Sequence, residues 1–140
     1  MAKKIIGRKD IANFPELGLQ QVAIKIDTGA YTSSIHCDDF KEINGQLHCR
    51  FIDSKNKKIN YQSLVINNYK KIKVKSSNGG VEERYQIKSK IELFQKTYQI
   101  SLSLTDRSTM KNPVLIGRKF LNKKFIVDTD LNNLSFKAQA

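Results

Sequence analysis

Cysteine is scarce: Cys37 and Cys49 are the only two in 140 residues, too few for a disulfide framework. Each follows a histidine, and His36-Cys37 and His48-Cys49 raise the question of zinc, for which imidazole and thiolate are the usual ligands. Neighbouring strand residues point to opposite faces, however, so each dipeptide offers a given site one ligand at most. With no further histidine or cysteine and no His-Glu-x-x-His pattern, no metal site is expected, and the thiols read as small buried groups. A Gly-x-x-x-x-Gly-Lys-Ser/Thr phosphate loop is missing as well, so no nucleotide or other cofactor is expected. Long apolar runs are also absent. Nothing approaches the ~20 apolar residues of a membrane-spanning helix, and Met1-Ala2-Lys3-Lys4 leads into an apolar step too short for a secretory leader. The expectation is a soluble, cytoplasmic chain with no membrane partner; a periplasmic location stays open if a leader has been removed.

Acidic side chains are in deficit, 13 against 25 basic ones, for a formal charge of +12. Long-range attraction then favours an anionic partner or an acidic substrate. The lysines are nonetheless scattered, as in Lys57-Lys58, Lys70-Lys71 and Lys123-Lys124. Lys71, Lys73 and Lys75 alternate with Ile72 and Val74, which gives one strand a wet face and discourages edge-to-edge pairing. Without basic residues clustered among exposed aromatics, and without a docking motif, nucleic acid is a disfavoured partner.

With 39% apolar residues, the length supports one domain, 1–140, burying roughly two-thirds of its unfolded surface. β-branched and aromatic runs are short and closely punctuated by turn residues, which points to an all-β barrel or sandwich. Val22, Ile24 and Ile26 share one strand face, with Lys25 on the other. Phe14-Pro15-Glu16-Leu17-Gly18 interrupts the first segment. Asn44-Gly45 suits the left-handed dihedrals of a hairpin turn, and Ser54-Lys55-Asn56-Lys57 marks a reversal before a strand from Ile59 to Ile66. Strands at 71–75 and 84–88 flank Ser76-Ser77-Asn78-Gly79-Gly80, a second hairpin. Tyr98 to Leu104 alternates almost perfectly. Asn112 to Leu121 runs from apolar residues through Gly117 into one helical turn, and short strands are expected at Phe125-Ile126-Val127 and Leu134-Ser135-Phe136.

Asp27-Thr28-Gly29-Ala30, at the end of the Val22–Ile26 run, resembles the catalytic loop of an aspartic peptidase. Retroviral-type members pair that loop with a later strand of two apolar residues and a glycine, often followed by arginine and a short helix. Leu115-Ile116-Gly117-Arg118 and Lys119-Phe120-Leu121 match. In such an arrangement Gly117, lacking a β-carbon, lets its backbone pass close behind the Asp27 loop. The likeness extends through Phe14 to Gly18, Thr32-Ser33, the Ser76 to Tyr85 hairpin, Asp106-Arg107 to Met110 and Val127-Asp128. Together these resemble the retropepsin-like family often labelled ATP-dependent zinc proteases. Lys25 and Tyr31 depart from the usual aspartic-peptidase pattern, which bears on substrate preference.

The resemblance implies an all-β, closed acid-protease barrel with one short helix near the C-terminus and an aspartic endopeptidase activity centred on Asp27. That chemistry needs two carboxylates about 3 Å apart sharing a proton. The chain offers one such loop, because Val127-Asp128-Thr129-Asp130 puts an aspartate where the glycine should be. The second Asp27 is therefore expected from a partner subunit of an isologous homodimer. Thr28 would brace the two loops across the axis, the Gly29 amide would donate to the carboxylates, and Ala30, Gly117 and Arg118 would support the loop. Ser77, Asn78, Gly79 and Gly80 form the candidate flap over an extended peptide, with Asn44-Gly45 as the competing hairpin. The basic balance suggests acidic or glutamate-rich peptides. The rival is a catalytically silent peptide-binding barrel.

Overall fold

The computed structural model describes residues 2–53, 60–75, 78–105 and 112–139. Strands β1 (Lys4–Ile6) and β2 (Lys9–Phe14) lead into a 3-10 turn over Pro15–Leu17. Pro15 opens that turn, and Gly18 closes it in the left-handed region at φ 68°. Then come β3 (Leu19–Ile26), β4 (Ser33–Ile43), β5 (Gln46–Asp53), β6 (Asn60–Ile66), β7 (Tyr69–Lys75), β8 (Val81–Leu93), β9 (Lys96–Thr105) and β10 (Val114–Ile116). Helix α1 (Arg118–Leu121), β11 (Phe125–Val127) and helix α2 (Leu134–Ala138) follow.

Six strands close on themselves in the order β10-β3-β2-β8-β9-β4, because β10 also pairs with β4. The closing strand is only three residues long, parallel to β3 (Val114 opposite Ile24) and antiparallel to β4 (Val114 opposite Ile35). Its hold comes from burial. Val114 and Ile116 are fully excluded from solvent, worth about 1.5–3 kcal/mol each, against about 1 kcal/mol net for a typical backbone hydrogen bond. The barrel is therefore the all-β, acid-protease-like architecture expected. Hairpin β5–β6 extends it from β4, and β7 pairs along β8.

Inside the barrel, Phe14, Leu19, Ile24, Ile35, Ile87, Ile91, Leu93, Leu102 and Leu104 are essentially inaccessible. In β3 the expected alternation holds, with Val22, Ile24 and Ile26 buried and Lys25 exposed. The Asn44-Gly45 turn has φ 52° and 76°, as a two-residue hairpin requires. The first half of β4 does not alternate: Ser33, Ser34, Ile35, His36 and Cys37 are all buried. There β4 lies between β9 on one edge and β10 on the other, and both of its faces are covered.

The C-terminal segment differs from expectation. Leu134-Ser135-Phe136 is not a strand but the start of α2, a second short helix beside α1. Its cause lies far away in sequence. Asp10, a buried carboxylate on β2, accepts the amides of Ser135 (2.9 Å) and Phe136 (3.1 Å), as well as that of Ile11 (2.8 Å). Asn133, at the N-cap, makes no side-chain cap of its own, so Asp10 supplies the cap that the local sequence lacks. The expected reversal at 54–57 and the resemblance at Asp106, Arg107 and Met110 lie outside the described residues.

Replacing Asp10 by alanine should leave one buried and two part-buried amides without this acceptor, detach α2 and lower the unfolding free energy by about 2–4 kcal/mol. Urea denaturation measures this, and a loss below ~0.5 kcal/mol would show that the cap is dispensable.

Candidate active site

The Asp27 loop is fixed from three directions. At its start, the Ile26 amide donates to Arg8 O (2.9 Å) and the Asp27 amide donates to Ile116 O (2.9 Å), which ties the loop to the segment after β1 and to β10. Across its own turn, the Ala30 amide donates to Asp27 O (3.2 Å). From behind, Arg118 donates its amide to Ala30 O and its Nη1 to Thr28 O, both at 2.8 Å. The Arg118 guanidinium also lies 5.8 Å from the centre of the Tyr31 ring, within cation–π range. The Lys119 amide donates to Tyr31 O (3.0 Å).

Gly117 makes this geometry feasible. Its φ is −96°, a value open to any residue, so the requirement is for space and not for backbone freedom. A β-carbon there would sit 2.5 Å from Thr32 O and 2.6 Å from Tyr31 O, well inside van der Waals contact. Its amide donates to the buried Ser33 Oγ at 3.0 Å. Within the loop, the Gly29 amide donates to Asp27 Oδ1 at 2.9 Å. Asp27 is partly buried, while Thr28 and Gly29 are exposed. The carboxylate is thus pre-oriented by one amide while remaining within reach of solvent. Such a group can accept a proton from water, but acid–base hydrolysis also needs a proton donor close by.

Asp27, Thr28, Gly29, Ala30, Gly117 and Arg118 therefore come together in one constellation. Asn78, Gly79 (φ 86°) and Gly80 sit exposed at the tip joining β7 to β8, with the Gly80 amide donating to Asn78 Oδ1 at 3.2 Å; Ser77 lies outside the described residues. Asp128 spends its carboxylate on its own turn, accepting the Asp130 amide at 3.0 Å. Two residues that the sequence reading named without a structural role turn out to hold the loop: Ser33, which receives the Gly117 amide, and Tyr31, whose ring lies against the Arg118 guanidinium. A serine at the inward start of an apolar strand was the available signal for the first; the second was marked only as a departure from the usual pattern.

Cys37 and Cys49 are free and buried neighbours on β4 and β5, and their thiols donate to Asp39 O (3.4 Å) and Leu64 O (3.8 Å). The Cys37 contact together with burial pushes the Cys49 thiol up, so it stays protonated. Among the described residues no group of three or more His, Cys, Asp or Glu side chains could hold a metal ion.

The model of the family described as retropepsin-like aspartic endopeptidase RimB matches residues 5–138. The chain belongs to this RimB-like family. Its curated relatives include probable alpha-L-glutamate ligases of Desulfotalea psychrophila (34% identical, covering 94% of this chain and 29% of the relative) and Shewanella halifaxensis (34%, covering 90% and 28%). The chain thus spans less than a third of the length of these relatives. A crystal structure of a Legionella pneumophila protein of unknown function superposes with a TM-score of 0.69 at 23% identity, covering 96% of this chain and 99% of that one, and shows a shared fold. The RimB-like assignment agrees with the retropepsin-like resemblance carried by the two motifs.

Gly117→Ala should force the Tyr31-Thr32 backbone away from α1 and destabilise the protein by about 3 kcal/mol. A denaturation midpoint equal to the unsubstituted protein's would show that the loop yields freely.

Proposed function

We propose that this RimB-like chain is an aspartic endopeptidase that works as a homodimer, with the Asp27 carboxylates of two subunits forming one proton-sharing pair. The observation that carries the reading is the Asp27 carboxylate itself, held by the Gly29 amide on a partly exposed loop in a chain of this family. A second copy fits the surrounding surface. Ile5 and Ile126 face each other in the parallel β1–β11 pair and are 50% and 54% exposed. That ribbon runs on into Arg8, whose carbonyl accepts the Ile26 amide at the start of the loop. Tyr31, 54% exposed, adds apolar surface just after the loop. Apolar residues around a functional group that needs a duplicate favour an isologous contact.

In the mechanism, one aspartate of the pair is ionised and takes a proton from water while the other, protonated, donates to the scissile carbonyl. Collapse of the tetrahedral adduct passes a proton to the departing amine. Thr28 braces the paired loops, and the hairpin carrying Asn78, Gly79 and Gly80 closes over an extended substrate. The +12 charge favours acidic peptides. The relatives' names, which concern alpha-L-glutamate, support glutamate-rich segments in particular. Those names also favour the rival reading, a barrel that holds peptide for a ligase without cutting it.

Asp27→Asn separates the two. A peptidase should lose turnover by about a thousandfold or more while light scattering still reports a dimer; a binder should be unaffected in its ligand affinity and show no turnover to lose. Because two close carboxylates cannot both ionise readily, the pair titrates in two separated steps, and cleavage should fall as pH rises past the upper one. A rate unchanged from acid to alkaline pH would rule out the dyad. Equal cleavage of acidic, neutral and basic peptides would remove the acidic preference alone.

A further inference from the structure

A cleft of about 890 Å³ among the described residues does not include the Asp27 loop. It lies behind it, reached through Thr32, Ser33 and α1, and runs along β8 and β9 to the turn before β7. Its charge is one-sided: Lys70, Lys88, Lys90, Lys119 and Lys124 line it, with Glu16 as the single acid. None of these lysines forms an ion pair among the described residues, where the pairs lie at Arg50–Asp38, Lys71–Glu83 and Arg84–Glu82. Lys124 alone is engaged, donating to Phe120 O at 3.0 Å. On the neighbouring strand, Lys88 is opposite Ser101 and Lys90 opposite Gln99, neutral residues that leave the ammonium groups uncompensated.

We infer that this cleft is a second binding site, separate from Asp27, for an extended carboxylate-rich peptide segment. Spacing supports a peptide. Lys88 and Lys90 stand two residues apart on a strand, about 6.8 Å, which is the repeat of alternate side chains on any extended chain. Every cation in the cleft is a lysine, a compact point charge suited to single carboxylates, where phosphate recognition favours arginine forks. Base stacking finds little purchase, because Phe120 is buried and the Tyr69 hydroxyl is bonded to Glu42. The identity of the occupant rests on the acidic-peptide reading above, but its binding needs no catalysis.

The test measures binding by fluorescence anisotropy on the full chain carrying Asp27→Asn, so that cleavage plays no part. Labelled oligoglutamate should bind, weaken with added salt, and weaken roughly tenfold in Kd when Lys88 and Lys90 are both replaced by glutamine. Lys119→Gln is read in the same way, in case the double variant does not fold. Affinity unchanged by the lysine substitutions, equal binding of oligoglutamine, no binding at all, or tighter lysine-dependent binding of a single-stranded oligonucleotide would each overturn the inference. These outcomes leave Asp27-dependent cleavage, measured on a neutral peptide, standing or falling by itself.

Discussion

The architecture depends on one close approach, in which the backbone at Gly117 runs against the carbonyls of Tyr31 and Thr32 with no room for a β-carbon. Because of it, β10 can lie parallel to β3 and antiparallel to β4 at once and close the barrel. The same approach sets α1 directly behind the loop, where Arg118 grips Thr28 O and Ala30 O. Barrel closure and loop placement are therefore one structural event. A disturbance at Gly117 would reach the carboxylate through two hydrogen bonds from a single arginine, without passing through the core.

That coupling explains why an exposed loop can hold a defined shape. Loops normally sit at the low-stability end of a fold, yet this one is bonded at its start to β10 and the post-β1 segment, across itself, and from α1. The carboxylate inherits that rigidity through the Gly29 amide. Rigid placement of a lone acid has little chemical use in a single copy, since an acid–base pair requires its partner held equally well. In the homodimer proposed above, two-fold symmetry would meet that demand with no additional sequence, because whatever orients one Asp27 would orient the other.

Much of this was readable from local pattern. The alternation of β3, the Asn44-Gly45 turn, the strand at 98–104 and the Leu-Ile-Gly-Arg segment each carry their signal within a few neighbouring residues. What escaped depends on distant partners. α2 is a helix because Asp10, on the second strand of the chain, receives its amides, and the local residues Leu134-Ser135-Phe136 alternate as a strand would. β8 continues to Leu93 and turns into β9 at Phe94-Gln95, both at positive φ; without glycine or asparagine there, the turn had no chemical marker. Ser33 was visible as a residue but not as a ligand for Gly117, because that pairing spans 84 positions.

Net charge illustrates the same limit at the level of function. The value of +12 is a sum, and a sum cannot say where a field is concentrated. In the folded chain the basic groups divide by role. Arg118 is committed to carbonyls and to the Tyr31 ring, and Lys71 to Glu83 with its ammonium 5.7 Å from the centre of the Tyr85 ring. The cleft lysines on β8 have neutral cross-strand neighbours instead. Uncompensated charge facing a concavity acts more strongly than the same charge on a convex surface, because low-dielectric walls focus the field. On the inference drawn above, the basic groups that select a partner are those lining this cleft, while the pair Lys123-Lys124 divides between open surface and that cavity.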